Sequence, residues 1–181
     1  MAAERISHAE YRVELLGDQH DRAAFSCGAE ALDRYFHETV TQDISRRIAA
    51  AFVLTRDGVL TRDGVTVAGF YTLSSLSLLG AELPEQLAKR LPSRSPIGVT
   101  LLGRMGVERG SKGQGLGELL LMDALKRAWQ ASREVASWAV VVDAKAGARD
   151  FYLKYDFVPL VTQPDRLFLA MRSIERVFAG K

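Results

Sequence analysis

The residues with the clearest chemical meaning are Lys112-Gly113-Gln114-Gly115-Leu116-Gly117. An apolar run, Val99 to Val107, leads towards them, and a helical pattern, Leu116 to Ala131, takes over from them. Strand, glycines and helix start make an anion site in that order. Glycines let main-chain N–H groups close on a phosphate, and a helix N-terminus adds partial positive charge. Lys112 adds a full charge. Two other phosphate loops fail on spacing. A P-loop ends in Gly-Lys-Ser/Thr, and Leu116-Gly117-Glu118 does not. The dinucleotide fingerprint requires G-x-G-x-x-G, whereas the glycines here stand at 113, 115 and 117. Spacing alone also fits a tight turn with no ligand.

Other chemistry-bearing residues are sparse. Arg46 and Arg47 form one short basic cluster, and Lys89, Arg90 and Arg94 another. Such clusters neutralise phosphates, although an ordinary solvated face looks the same in sequence. Asp143 and Lys145 follow an apolar run and fit either a cleft or a helix N-cap with a solvent-facing lysine. Cys27 reads as a small buried residue rather than a nucleophile. His8, His20 and His37 are scattered and, with one cysteine, give no metal-ligand spacing, so no metal is expected.

These residues need elements to hold them. Tyr11 to Leu16 reads as a first strand and Ala29 to Val40 as an amphipathic helix, with Thr41 to Arg47 a second short helix or turn. Ala50 to Thr55 and Val65 to Leu76 read as strands joined through Asp-Gly pairs at 57–58 and 63–64. Val53 to Gly58 recurs unchanged as Val59 to Gly64. A single repeat of this length is no solenoid, and it is expected to lengthen a surface hairpin loop. Leu83 to Leu91 reads as a short helix with Pro84 in its first turn. Trp138 to Val142 has the unbroken apolar character of a strand covered on both faces. Ala146 to Tyr155 is expected to be a helix, and Phe157 to Val161 and Leu167 to Met171 strands.

The order of strand, glycine loop, helix, strand, short helix with Phe151-Tyr152-x-x-Tyr155-Asp156-Phe157, and strand resembles the GNAT acetyltransferases. That family's loop reads [Gln/Arg]-x-x-Gly-x-[Gly/Ala], and Lys112 replaces the first residue while keeping a positive donor. The family's last motif carries glycine where Asp156 stands, which a left-handed aspartate tolerates. Four further pieces narrow the resemblance: Phe25-Ser26-Cys27-Gly28 with Ala31-Leu32-Asp33-Arg34-Tyr35, Val67 to Ser74, Leu102 to Val107, and Val142 to Lys145. Together they resemble the GNAT toxins of type II toxin–antitoxin modules. Those toxins acetylate the amino group of aminoacyl-tRNA, block translation and pair with a small ribbon-helix-helix antitoxin.

The resemblance implies a mixed α/β GNAT fold. Its central, mostly antiparallel sheet has six or seven strands, is flanked by helices and splays into an acetyl-CoA cleft. It implies that Met105 and Val107 offer backbone groups to the pantetheine arm and that Lys112, Gly113, Gln114, Gly115, Leu116 and Gly117 hold the diphosphate. Tyr152 becomes the catalytic acid for the leaving thiolate, with Tyr155 a weaker competitor. Glu108 is the one carboxylate near the motif that could act as a base. Arg46, Arg47, Arg90 and Arg94 become tRNA contacts. The alternatives are a GNAT enzyme for a small amine or a protein N-terminus, and a CoA-binding module without turnover.

Bulk properties agree with one soluble domain spanning residues 1–181. The chain has 48% hydrophobic and 25% charged residues and a net charge of +2. A single cysteine and no apolar leader point to the cytoplasm, and no run is long enough to span a membrane. Homodimers are common among similar toxins. Disorder is expected only in the first few residues and after Ile174.

Overall fold

The computed structural model describes residues 10–92, 95–145 and 147–179. The chain divides into two compact units. The first draws on the chain up to Leu73 and on Arg104–Ala124; the second comprises Ser74–Gly103 and the chain from Leu125 onward.

In the first unit, β1 (Tyr11–Leu15) lies antiparallel to β3 (Ala50–Thr61). β3 in turn pairs antiparallel with β4 (Gly64–Leu78), and the short β2 (His20–Asp21) pairs parallel with the start of β4. β5 (Ile97–Val107) neighbours β4. The apolar stretch Ala51 to Leu54 is fully covered, which is why it does not alternate. Its core includes Phe25, Phe36 and Phe70. Phe36 stacks on Phe70 at 4.3 Å, and both rings meet Phe25 edge-on. Gly69 marks a close approach: a Cβ there would lie 2.8 Å from Leu120 Cδ1 on α4 (Leu116–Ser132). On that helix Asp123 accepts a hydrogen bond from the buried Tyr71 hydroxyl.

The sequence between Ala29 and Arg47 forms one rod rather than a helix followed by a separate short one. α1 (Glu30–Arg34) passes into a π-helical turn, Tyr35–Thr39, and then into α2 (Val40–Ser45). Residues 41–45 hold no breaker, so the helix runs on. The wide turn faces Tyr35, Phe36 and Val40 inward together.

The repeated hexapeptide also departs from expectation. It does not hang as a loop. β3 continues to Thr61, and the register slips between Thr55 and Leu60, where the chain bulges at Gly58 with φ +77°. The hairpin turns at the second Asp-Gly pair, leaving Gly64 at φ +144°. Val53 and Leu54 are fully buried, but Leu60 in the second copy is 69% exposed. The bulge is tied to β1 and to Glu10 just before it by Arg12–Asp57 and Arg56–Glu10 ion pairs, exposed and worth little.

In the second unit, β6 (Ala139–Asp143) runs parallel to β5 and antiparallel to β8 (Arg166–Ala170), and the two-residue β7 (Val158–Pro159) completes the edge. Six strands of five residues or more and two of two residues are thus found among the described residues. Leu78, Leu83, Ile97, Val99, Val141, Leu160 and Phe168 form this unit's core. The helix expected over Leu83–Leu91 is only α3 (Glu85–Ala88), with Pro84 just before it. The strand expected over Phe157–Val161 is confined to β7, because the Leu160 and Val161 amides turn to Arg166 O and Glu82 O. α5 (Arg149–Leu153) is the ordered part of the helix expected over Ala146–Tyr155, and Ala146 lies outside the described residues.

The tail after Ile174 is not disordered throughout. α6 (Met171–Ala179) buries Met171 and Ile174, and Phe178 stacks on Trp129 at 5.9 Å. Asp156 sits at φ +63°, the left-handed conformation that a glycine would hold without strain.

Two stability measurements check these features. Ile174→Ala should cost about 2–5 kcal/mol in urea unfolding, the loss expected for a fully buried aliphatic side chain. Asp156→Gly should raise stability by up to about 1 kcal/mol, whereas a β-branched residue there should lower it.

Candidate active site

β5 ends in the first unit as Arg104-Met105-Gly106-Val107. The Arg104 amide donates to Thr72 Oγ1 and the Glu108 amide to Ala68 O, both on β4. Main-chain groups alternate sides along a strand, so those of Met105 and Val107 point to the edge away from β4. That is the pairing expected of a strand that receives an extended ligand arm.

Past the strand, the loop is pinned at its entry. The Arg109 amide donates to Ser26 O at 2.8 Å, and the Ser111 and Lys112 amides close a short turn on Glu108 O and Arg109 O. Gly113 and Gly115 then each take φ +79°, which a residue with a Cβ adopts only under strain. From Gly113 to Glu118, no main-chain N–H finds an acceptor among the described residues. The first internal bond of the helix runs from the Leu119 amide to Gly115 O. These donors lead into a 17-residue helix, with the exposed Lys112 at their head. A row of donors of this kind suits the oxygens of a phosphate or diphosphate. Nothing stands within 4 Å of where a Cβ on Gly113 would be, so the space in front of it is open.

A second segment braces the loop. Asp33 accepts hydrogen bonds from the Ser26 hydroxyl and the Cys27 amide, each at 2.8 Å. Burial alone would raise the carboxyl, but these donors together with the Gly28 amide bring it below its ordinary value. Cys27 packs against Gly106, and Gly28, at φ +82°, lies beneath the Arg109 guanidinium. Burial pushes the Cys27 thiol up, which keeps it protonated and unreactive. Arg104 lays its guanidinium 3.7 Å over the Tyr35 ring, while the Tyr35 hydroxyl donates to Asp43. Sequence reasoning gave Asp33, Arg104 and Arg109 no role. Their only signal was their place inside the family-like segments. Glu108 accepts a hydrogen bond from the Ser111 hydroxyl at 3.3 Å and serves the turn.

In the second unit, the β5–β6 ladder joins Thr100–Leu102 to Val140–Val142 and goes no further. Tyr152 on α5 is 7% exposed, with its ring edge-on to Phe151 and Phe157. Burial pushes its phenol up to about 12. Its hydroxyl has no hydrogen-bond partner among the described residues. Tyr155 is half-buried beside Phe151. Asp143 does not cap a helix. It holds Arg166 in a bidentate pair at 2.6 and 3.0 Å, and that pair raises the guanidinium further. Lys145, Gln163 and this pair line a recess of about 340 Å3.

The basic candidates fall in both units. Arg46 and Arg47 are exposed after α2 in the first unit, and Lys89 and Arg90 are exposed after α3 in the second. Lys89 pairs with Glu85, one turn away. Arg94 lies outside the described residues.

Comparison with known proteins agrees with this geometry. Residues 94–167 match the acetyltransferase (GNAT) domain family. A tRNA-acetylating toxin of Mycobacterium tuberculosis is 35% identical over 159 residues, covering 87% of this chain and 90% of the toxin. The probable toxin TacT of Sinorhizobium fredii is 32% identical, covering 87% and 88%. Among solved structures, a tyrosine-to-phenylalanine mutant of KacT superposes with a TM-score of 0.85 at 28% identity, covering 93% of this chain and 99% of that one. AtaT complexed with acetyl-methionyl-tRNAfMet gives a TM-score of 0.83 at 31% identity, with the same coverage. A row of unspent amides leading into α4 and a match to tRNA-acetylating toxins over most of the chain lead to one assignment: this chain belongs to the GNAT N-acetyltransferases, within the family of the tRNA-acetylating toxins.

Proposed function

We propose that this protein transfers the acetyl group of acetyl-CoA to the α-amino group of aminoacyl-tRNA and thereby blocks translation, as the toxin of a toxin–antitoxin module. The run of unpaired amides from Gly113 to Glu118 carries this reading, because it fits the diphosphate that acetyl-CoA brings. The substrate is argued from the relatives, one of which is a tRNA-acetylating toxin and another of which was solved with acetyl-methionyl-tRNAfMet.

Each candidate residue has a part in this proposal. The amides from Gly113 to Gly117 and the Lys112 side chain hold the diphosphate, while the Lys112 amide stays with Arg109 O, and the outward main-chain groups of Met105 and Val107 pair with the pantetheine arm. Acetyl-CoA supplies the acyl group as an activated thioester. The attacking α-amino group has a pKa near 8, at about 7.7–8.0 when unperturbed, so a useful fraction is neutral without a dedicated base. Glu108, engaged by Ser111, is not needed. Tyr152 delivers the proton to the departing thiolate. Its raised pKa keeps the phenol protonated at neutral pH, the state an acid needs. Arg46, Arg47, Arg90 and Arg94 meet tRNA phosphates.

The partner we propose is a ribbon-helix-helix antitoxin, by analogy with AtaT bound to the C-terminus of the antitoxin AtaR. The working form would be a homodimer of single-domain chains in the cytoplasm. No described helix is long and apolar enough to cross a membrane.

Labelled acetyl-CoA incubated with total charged tRNA, peptides and polyamines should label the charged tRNA; label confined to a peptide or polyamine would reject the substrate. Tyr152→Phe should retain acetyl-CoA binding and lose about 10²-fold or more in turnover. In the wild type, Tyr152 keeps its proton until pH approaches about 12. Turnover should therefore show no alkaline decline from this group up to about pH 10, where an ordinary phenol would be half-ionised.

A further inference from the structure

We propose that Asp33 is a positioning residue for the diphosphate loop, acting through the Ser26–Gly28 segment rather than by touching acetyl-CoA. The inference rests on the reading of that loop as the acetyl-CoA site. Asp33 lies on α1, in the same unit as the loop but far from it in sequence. One of its carboxylate oxygens takes the Ser26 hydroxyl and the other takes the Cys27 amide, each at 2.8 Å. Hydrogen bonds to a charged acceptor are the strong ones, so one on each oxygen of the carboxylate fixes both the direction and the height of this segment.

The segment meets the loop in three ways. Ser26 O receives the Arg109 amide at 2.8 Å. Cys27 packs on Gly106, with Sγ 3.5 Å from where a Cβ would stand. Gly28 leaves room for the Arg109 guanidinium, which would lie 2.8 Å from a Cβ at that position. The Arg109 amide is the last donor spent on another segment before the chain turns into the Gly113–Glu118 run. Where Ser26 O sits therefore sets where those amides begin. A ligand held by several main-chain donors at once is sensitive to displacement of the whole row, and pre-organisation is where its affinity comes from.

The Ser26, Cys27, Gly28 and Asp33 spacing serves this brace. Ser26 supplies both a hydroxyl to Asp33 and a carbonyl to Arg109, and the left-handed Gly28 lets the segment leave without a side chain under the arginine.

The test compares two acyl donors, acetyl-CoA and S-acetylpantetheine, which lacks the diphosphate. The readout is the ratio of their kcat/KM values in the wild type, Asp33→Ala and the near-isosteric Asp33→Asn. Loss of the brace should reduce the ratio by about tenfold or more in Asp33→Ala and by less in Asp33→Asn. It should do so by raising KM for acetyl-CoA, with kcat at saturation and the constants for S-acetylpantetheine little changed. If both donors decline in parallel, or the ratio stays at its wild-type value in Asp33→Asn and in any folded Asp33→Ala, the proposal is overturned. Should Asp33→Ala fail to fold, Asp33→Asn with Ser26→Ala carries the same comparison. A wild-type enzyme indifferent to the diphosphate would instead overturn the loop assignment on which the proposal rests.

Discussion

Main-chain donors that have no acceptor among the described residues organise this protein. A helix always begins with several N–H groups that have no intrahelical partner, and most proteins satisfy them with a capping side chain or water. Here two left-handed glycines extend that deficit backwards into the loop, so the donors run from Gly113 to Glu118. Such a row is stable only if its ends are held by something else. At the entry, the amides of Glu108 and Arg109 are committed to Ala68 and Ser26. At the exit, Leu116 and Leu120 are buried on α4, and Gly69 admits Leu120 close to β4. The apolar core of the first unit thus keeps polar groups unspent at its surface.

The same division of labour explains the tyrosine. A phenol is a useful proton donor only if it remains neutral and can be reached. For the proton donation proposed for Tyr152, packing its ring between Phe151 and Phe157 serves the first, and a hydroxyl with no partner among the described residues serves the second. Burial of the ring and access to its tip are opposing demands, and both fall on the short helix α5, after which the chain turns through the left-handed Asp156 three residues past Leu153.

How much of this was legible in the sequence depended on the range of the forces involved. The glycine loop, β5 and α4 were readable because their signals are local: backbone freedom, an unbroken apolar run and a wet helix face. The left-handed aspartate followed from a single displaced glycine. Asp33 was not readable, because its work depends on a hydrogen-bonded turn that brings it back to Ser26 and Cys27. Asp143 read as either a cleft residue or a helix cap because nothing local announces that Arg166, across the β6–β8 pair, claims it. The end of the chain was read as loose because chain ends commonly are. Met171, Ile174 and Phe178 nevertheless stand at i, i+3 and i+7, the spacing of a helix with one covered face, and Phe178 finds Trp129.

The repeated Val-Leu-Thr-Arg-Asp-Gly shows how little of a hairpin is decided by its own turn. Both copies offer the same reversal chemistry, yet only the second reverses the chain, and the first becomes a bulge. Two contacts favour the second copy: the Thr61 hydroxyl donates to the buried Asp21, and β2 lies alongside Val65 and Thr66. The surplus hexapeptide could be carried on either arm with the core register between Val53 and Phe70 intact. The choice of arm is therefore made by a neighbour some forty residues earlier in the chain, as the Thr61–Asp21 bond spans 40 positions. This hairpin is locally degenerate, and it acquires a single shape only through the strand that docks beside it.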